Sequence, residues 1–434
     1  MKISKYTKLL CNDGSYFIYN SLSNYFCHIN EDLYNFLENV QNNNSLILRK
    51  EIDLESEKIL LTKNIITEND DDDILKYISI IKRRRNVINP LLLTIAPTLE
   101  CNFSCPYCFE TKEKGKMDES TIDNIIRFVK HQKYLESISI TWFGGEPLLY
   151  PDIIETITER LETVCRLPVR GKIITNGYFL DKKNIELLER CKVNEIQLTI
   201  DGLNETHNKI KFTSNDVDTF GTIINNIDTF SKHNTFANLI IRVNIDKNNL
   251  NEFGALFTLL TDKYRNYKNI FIAPSFIIQN TKNACKDSCI ISNIEKFSII
   301  KGFSTIMKNL NLIYPSNNIT ECSARNPSTL VIAPNGDLYK CWEIIGNRNY
   351  KIGQLTKDGL NITDNTQLNR YLYGADPFED EPCKQCFYLP ICGGGCPHKR
   401  IENKFNYKNY DLCIHFEKNM EDFLLLRTTY ENNI

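Results

Sequence analysis

LLLTIAPTLECNFSCPYC, residues 91–108, sets an apolar run of strand length directly in front of three closely spaced cysteines. A continuous apolar run bounded by turn residues marks a strand buried on both faces. Five more runs of the same texture follow at helix-length intervals: SISITWFGG (137–145), GKIITNG (171–177), EIQLTIDG (195–202), LIIRVNID (239–246) and NIFIAPSF (269–276). Six strands with helical patterns between them predict parallel βαβ units, and so an α/β sheet or partial barrel. Functional groups are then expected at the strands' C-terminal ends.

The chain on either side of these runs reads differently. Residues 1–90 predict a small unit with strands at Tyr16–Tyr19 and Tyr25–His28, a helix near Glu31–Val40 and another over Asp73–Arg85. The acidic run before that last helix and Lys82–Arg85 at its end suit the helix dipole. The barrel is expected over 91–280 and a bridging region over 281–319. Residues 320–434 are rich in cysteine, glycine and turns, a texture that suggests a fold held by metal.

With 434 residues the chain allows two to four domains. A net charge of -2 gives no basic field for nucleic acid. No signal-peptide h-region and no spanning apolar run is present, so a cytoplasmic protein without membrane attachment is expected. Sixteen cysteines in a reducing compartment point to metal ligands rather than disulfides.

Cys101, Cys105 and Cys108 form a C-x3-C-x2-C run after the first strand. Three thiolates this close can hold three irons of a [4Fe–4S] cube and leave the fourth open for substrate, whereas structural zinc closes on four ligands. This run resembles the signature of the radical S-adenosylmethionine (SAM) superfamily, which implies SAM on the open iron and its reductive cleavage to a 5′-deoxyadenosyl radical. The resemblance extends to Gly144-Gly145-Glu146-Pro147, similar to the segment that receives the methionine ammonium, and to Thr175-Asn176, similar to the segment that meets the ribose. Tyr107 falls where the family packs an aromatic near the adenine. Asp201 and Gly202 with His207 resemble a stretch that borders SAM and substrate, and Asp201 is taken as a catalytic candidate. Where members often continue His-Asp and then an arginine, this chain has Asn208, Lys209, Ile210 and Lys211, which leaves a structural role open for His207. Arg242 and Asn244 on the fifth strand are candidates for the SAM carboxylate.

A second cysteine field contains Cys322, Cys341, Cys383, Cys386, Cys392, Cys396 and Cys413, with Gly393, Gly394 and Gly395 free to fold tightly round a metal. Paired zinc ribbons are the alternative. The field resembles the SPASM domain, a C-terminal extension with two auxiliary [4Fe–4S] clusters, giving three clusters in all. The resemblance implies Cys322, Cys341 and Cys396 at the nearer auxiliary cluster and Cys383, Cys386, Cys392 and Cys413 at the farther. A fourth ligand for the nearer one is missing around Pro315, so either its iron is open to a substrate thiolate or Cys285 or Cys289 closes it. Cys11, Cys27, Cys165 and Cys191 are expected to be buried and inert.

The resemblance implies a partial (β/α)6 TIM-like barrel, a small winged-helix-like N-terminal module and a C-terminal Cys-rich iron–sulfur domain. The module resembles the recognition element that grips a leader peptide by strand addition; a packing appendage is the alternative. The implied function is a maturase that installs a thioether, or a carbon–carbon crosslink, in a ribosomally made precursor peptide, as sactipeptide and ranthipeptide maturases do. A flavodoxin- or ferredoxin-type donor is implied as electron source. An anaerobic sulfatase maturase, forming formylglycine, is the second reading; a multi-cluster electron carrier is the non-enzyme reading, and it needs neither an open iron nor Gly144–Pro147.

Overall fold

The structure is a computed structural model that describes every residue except 214–216, 234–236, 278–289, 304–320, 415–416, 418 and 432–434. The chain divides into two compact units: residues 1–86, 292–322 and 373–434 form one, and residues 87–291 and 323–372 form the other.

In the first unit, strand β1 (Lys2–Ile3) pairs antiparallel with β5 (Ile66–Thr67), and β2 (Thr7–Asn12), β3 (Ser15–Asn20) and β4 (Tyr25–Ile29) make a three-stranded antiparallel sheet in that order. Helices α1 (Glu31–Asn42), α2 (Leu54–Thr62) and α3 (Asp70–Arg85) complete the module. Each starts on a side-chain oxygen that takes a free backbone N–H, from Asn30, Asp53 and Asn69 respectively. Asn69 explains why α3 begins at Asp70: the acidic run lies inside the first turn, where the dipole favours it, rather than ahead of the helix. Ile18, Leu37, Val40, Leu60, Ile65 and Ile66 form one core. A second core joins Tyr6, Ile74, Tyr77 and Ile81 to Phe378 and Leu389 from the C-terminal part of the same unit.

The second unit is built on β6 (Leu91–Ile95), β7 (Ile138–Trp142), β8 (Val169–Ile174), β9 (Val193–Ile200), β10 (Asn238–Ile245) and β11 (Ile270–Phe276), the six expected strands, each parallel to the next. The connecting helices are α4 (Glu119–Lys130), α5 (Pro151–Arg160), α6 (Lys182–Arg190), α7 (Asn204–Ile210), α8 (Thr219–Lys232) and α9 (Leu250–Tyr264). Leu93, Ile95, Ile140, Ile173, Ile196, Leu198, Leu239 and Ile241 are buried along the strands, and α4 turns Ile122, Ile125, Phe128 and Val129 inward.

Residues 323–372, read from sequence as turns without periodicity, instead carry four short strands: β12 (Thr329–Ile332), β13 (Asp337–Tyr339), β14 (Gly353–Thr356) and β15 (Gly359–Ile362). β12 pairs parallel with β6, and the next three continue antiparallel, so one ten-stranded sheet runs from β11 to β15. Strands of three or four residues are too short to show an alternation.

Candidate functional site

The C-terminal ends of five parallel strands deliver the expected groups of the second unit. β6 leads to Cys101, Cys105 and Cys108, β7 to Gly144–Pro147, β8 to Thr175 and Asn176, and β9 to Asp201; β10 carries Arg242 and Asn244. Parallel strands all end on one side, so these residues share one mouth without any proximity in sequence.

The cysteine loop is wedged against the next strand's turn. A Cβ on Gly145 would lie 2.0 Å from the carbonyl oxygen of Glu100, and one on Gly144 would lie 2.3 Å from that of Thr98, so no side chain fits at either position. Gly145 and Glu146 donate their N–H groups to Thr98 and Glu100 at 3.2 and 2.8 Å, which fixes the backbone entering Cys101. Glu146 is fully buried. Its Oε1 accepts from the Leu148 N–H (2.9 Å) and Thr175 Oγ1 (2.7 Å), and its Oε2 from the Asn176 N–H (2.7 Å). Burial raises its proton affinity, and these three bonds oppose the rise. The next residue, Pro147, is buried and opens a short 3-10 turn.

Cys101 Sγ receives the Phe103 N–H at 3.4 Å and the Asn176 amide at 3.8 Å. Burial, and then the Glu146 carboxylate, pushes the Cys101 thiol up to about 12; burial also raises Cys105 and Cys108. The charge of Cys105 acts on both of the other thiols, while Lys112 opposes the rise at all three and Lys211 opposes it at Cys105. Their raised values keep the free thiols protonated, and an iron–sulfur cluster held by Cys101, Cys105 and Cys108 would take them as thiolates. Three half-buried thiols with N–H donors and cations around them are a donor set that suits an iron–sulfur cluster.

On the β9–β10 side, the Tyr107 hydroxyl donates to Asp201 Oδ2, and Asn244 donates to the Tyr107 oxygen at 3.5 Å. Arg242 Nε donates to Asn244 Oδ1 at 2.9 Å. Burial, then Asp201, holds the Tyr107 phenol well above its ordinary value. Asp201 Oδ1 is buried without a hydrogen-bond partner among the described residues. His207 is buried edge-on to Phe220, and its Nδ1 accepts the Asp201 N–H at 3.2 Å, so it supports the Asp201 turn.

Lys211 was noted in the sequence only as a departure from a pattern. Its side chain is 5% exposed, and its Nζ stands 3.7 Å from Asp201 Oδ2. The available signal was a lysine four residues after His207, one helical turn on, in the stretch where the pattern departs. Sequence reasoning also missed an aromatic run: Phe109, next to Cys108, stacks on Phe143 at 6.5 Å, and Phe143 stacks at 5.7 Å on Trp342, next to Cys341.

In the first unit, Cys383, Cys386, Cys392 and Cys413 line one cavity of about 170 Å³ with Asp380 and Arg400. A Cβ on Gly394 would lie 2.2 Å from Pro377 Cβ and one on Gly395 2.5 Å from Leu412 O; both residues, like Gly393, have positive φ. Burial raises the Cys392 thiol, and N–H groups of Gly394 and Gly395 oppose the rise. Burial likewise raises Cys383, whose sulfur accepts from Arg400 Nη2 at 2.7 Å. Burial, then Glu417 and Asp411, pushes Cys413 up to about 11. Among the described residues no three Cys, His, Asp or Glu side chains are grouped as a single metal ion requires. Four thiols lining one cavity are a donor set of the kind that holds an iron–sulfur cube.

Cys322 and Cys396 belong to the first unit, Cys396 capping the helix Pro397–Asn406, and Cys341 follows β13 in the second. Cys285 and Cys289 lie outside the described residues. Cys191 is buried and Cys27 and Cys165 are half-buried, but Cys11 is exposed, because the last two residues of β2 emerge into solvent. Among the described residues, no helix is long and apolar enough to cross a membrane.

Residues 95–260 match the model of the Radical SAM superfamily. The radical SAM cyclopropyl synthase TigE of Paramaledivibacter caminithermalis is 26% identical over 268 residues, 54% of this chain and 55% of TigE. The cysteine-type anaerobic sulfatase-maturating enzyme of Clostridium novyi is 22% identical over 366 residues, 76% of this chain and 95% of that one. The structure of anSMEcpe with bound AdoMet and the Cp18Cys peptide superposes with a TM-score of 0.59 at 17% identity, covering 79% of this chain and 99% of that chain. The likeness in fold thus extends over about four fifths of this chain, and the chain is an enzyme that carries a radical SAM domain over residues 95–260.

Proposed function

We propose that this enzyme matures a ribosomally made precursor peptide by installing a thioether, or a carbon–carbon crosslink. The observation that carries the proposal is the pairing of a radical SAM mouth with a separate four-cysteine cavity in the unit that contains the N-terminal module. When bound, SAM and the [4Fe–4S] cluster of Cys101, Cys105 and Cys108 supply a 5′-deoxyadenosyl radical able to take a hydrogen atom from the peptide. Asn176 and the Phe103 N–H orient Cys101, and Glu146 ties the third strand's loop to the second. Tyr107, Asn244 and Arg242 line the far side toward SAM, with Asp201 held by Tyr107 and Lys211.

The farther auxiliary cluster is assigned to Cys383, Cys386, Cys392 and Cys413. Cys322, Cys341 and Cys396 are assigned to the nearer one on their place in the cysteine pattern, with its fourth iron open to a substrate thiolate. The module supplies two sheet edges, β2 and β4, for a leader strand. A cytoplasmic flavodoxin or ferredoxin is the proposed donor.

Sulfatase maturation remains the second reading, supported by the match along 95% of the Clostridium novyi enzyme. Against it, about a fifth of this chain has no counterpart in the anSMEcpe structure. The test is to incubate the reconstituted, reduced enzyme with peptides encoded by short Cys-rich reading frames beside its gene. Release of 5′-deoxyadenosine with loss of two hydrogens from a cysteine-bearing peptide supports crosslinking. Formylglycine in a sulfatase-type peptide, and no crosslink, would replace this proposal with the second reading.

A further inference from the structure

The N-terminal module and the loop that carries Cys383, Cys386 and Cys392 meet within one unit through contacts that a detachable appendage would not make. Ser21 Oγ donates to the Phe387 carbonyl at 2.7 Å, and the Tyr6 hydroxyl donates to the Lys384 carbonyl at 3.3 Å. Both acceptors are main-chain groups lying between the cysteines. Lys5 Nζ reaches Gln385 Oε1 at 3.1 Å, and the rings of Tyr19 and Phe387 meet edge to face at 6.2 Å. Beneath them, Tyr6, Ile74, Tyr77 and Ile81 share a core with Leu389 and Phe378, against which Cys383 packs.

Ser21 and Tyr6 are fully buried. Arg85, the last residue of α3, is 6% exposed and holds Glu321 and Asp376 at 2.6 Å each. Glu321 precedes Cys322 in the chain, so the same helix that covers one cysteine loop is pinned beside another cysteine. Lys384 and Phe387 are themselves half-buried, and the donors that satisfy their carbonyls are buried side chains of the module.

We propose that the N-terminal module is the cover of the farther auxiliary cluster, sealing the 383–392 loop and holding its iron against loss. The proposal rests on the assignment of that cluster to Cys383, Cys386, Cys392 and Cys413. It gives the module a function separate from peptide recognition: one face is committed to the cluster loop, while β2 and β4 are the outer strands of its sheet. The seal governs how often the loop opens, because local opening is opposed by the buried contacts that must break.

The test uses the reconstituted full-length enzyme and its Tyr6→Phe/Ser21→Ala variant, challenged anaerobically with a ferrous-iron chelator. The expected result is that four irons per chain leave at least about tenfold faster, the factor set by losing one or two ordinary hydrogen bonds from a closed loop. The remaining irons and the rate of SAM cleavage stay at wild-type values. If the double variant does not fold, Ser21→Ala alone, which removes one hydroxyl, carries the test with a smaller factor. Unchanged release in every phase, from an enzyme that loses four irons when Cys386 and Cys392 are changed to Ser, overturns the cover while leaving the cluster. If that Ser variant loses no iron, the cluster assignment itself fails, and the cover with it.

Discussion

Arg400 places its Nη2 2.7 Å from the sulfur of Cys383 while its Nε is held by the Gly394 carbonyl at 2.7 Å and Asp380 takes its other edge. The guanidinium is 8% exposed. An N–H donated to a ligand sulfur stabilises negative charge on the cluster, and the reduced cube carries more of it. With the cluster proposed for Cys383, Cys386, Cys392 and Cys413, Arg400→Gln should therefore lower its reduction potential without changing iron content. Potentiometric titration of the reconstituted enzyme reads this, and Arg400→Lys should fall between the two. A potential that rises in the Gln variant would contradict the assignment.

Thr175 Oγ1 connects the buried Glu146 carboxylate to the Gly177 N–H. Thr175→Val keeps the shape and removes both bonds, leaving a buried carboxylate one donor short. The expected cost is about 1.5–3 kcal/mol in chemical denaturation, with weaker SAM binding alongside. A loss below about 0.5 kcal/mol would show that the carboxylate had no need of the hydroxyl.

Lys211 and Asp201 form a buried pair with side-chain exposures of 5% and 1%. Lys211→Met strands the carboxylate and should destabilise the enzyme by about 3–5 kcal/mol. Combining it with Asp201→Asn removes the stranded charge, so the double variant should be less destabilised than Lys211→Met alone. Strict additivity of the two single effects would mean that the charges do not interact.

His207 predicts a pH dependence with a definite sign. Burial, then the neighbouring Lys211, lowers it from 6.5 to about 3, with Asp218 opposing. Below pH 6.5 the unfolded chain takes up a proton that the folded one refuses. The stability contribution is complete above that pH and declines as pH falls toward about 3, by about 1.4 kcal/mol per unit. Unfolding midpoints measured from pH 7 to pH 5 should fall less steeply for His207→Gln than for the wild type. Parallel slopes would reject the buried neutral imidazole.

The six barrel strands were legible because each is an apolar run longer than four residues, separated from the next by a helical pattern. The first cysteine run was legible because its spacing is itself the chemistry. β12 was not: Thr329–Ile332 is four residues long, and its parallel pairing with β6 leaves no local trace. Arg400 escaped because a single arginine on a helix carries no pattern. The packing of the module against the 383–392 loop escaped for a different reason. Tyr6 and Ser21 donate to main-chain carbonyls, and a carbonyl looks the same in every residue.

The pairing of β12 with β6 also sets an order of events during synthesis. Leu92 emerges from the ribosome long before its partner Thr329, and until then the β6 edge offers an unpaired row of N–H and C=O groups a few residues from Cys101. An open edge of that kind is a template for other chains. Nascent enzyme halted before residue 332 should therefore aggregate, and release past that point should restore solubility before any iron is supplied.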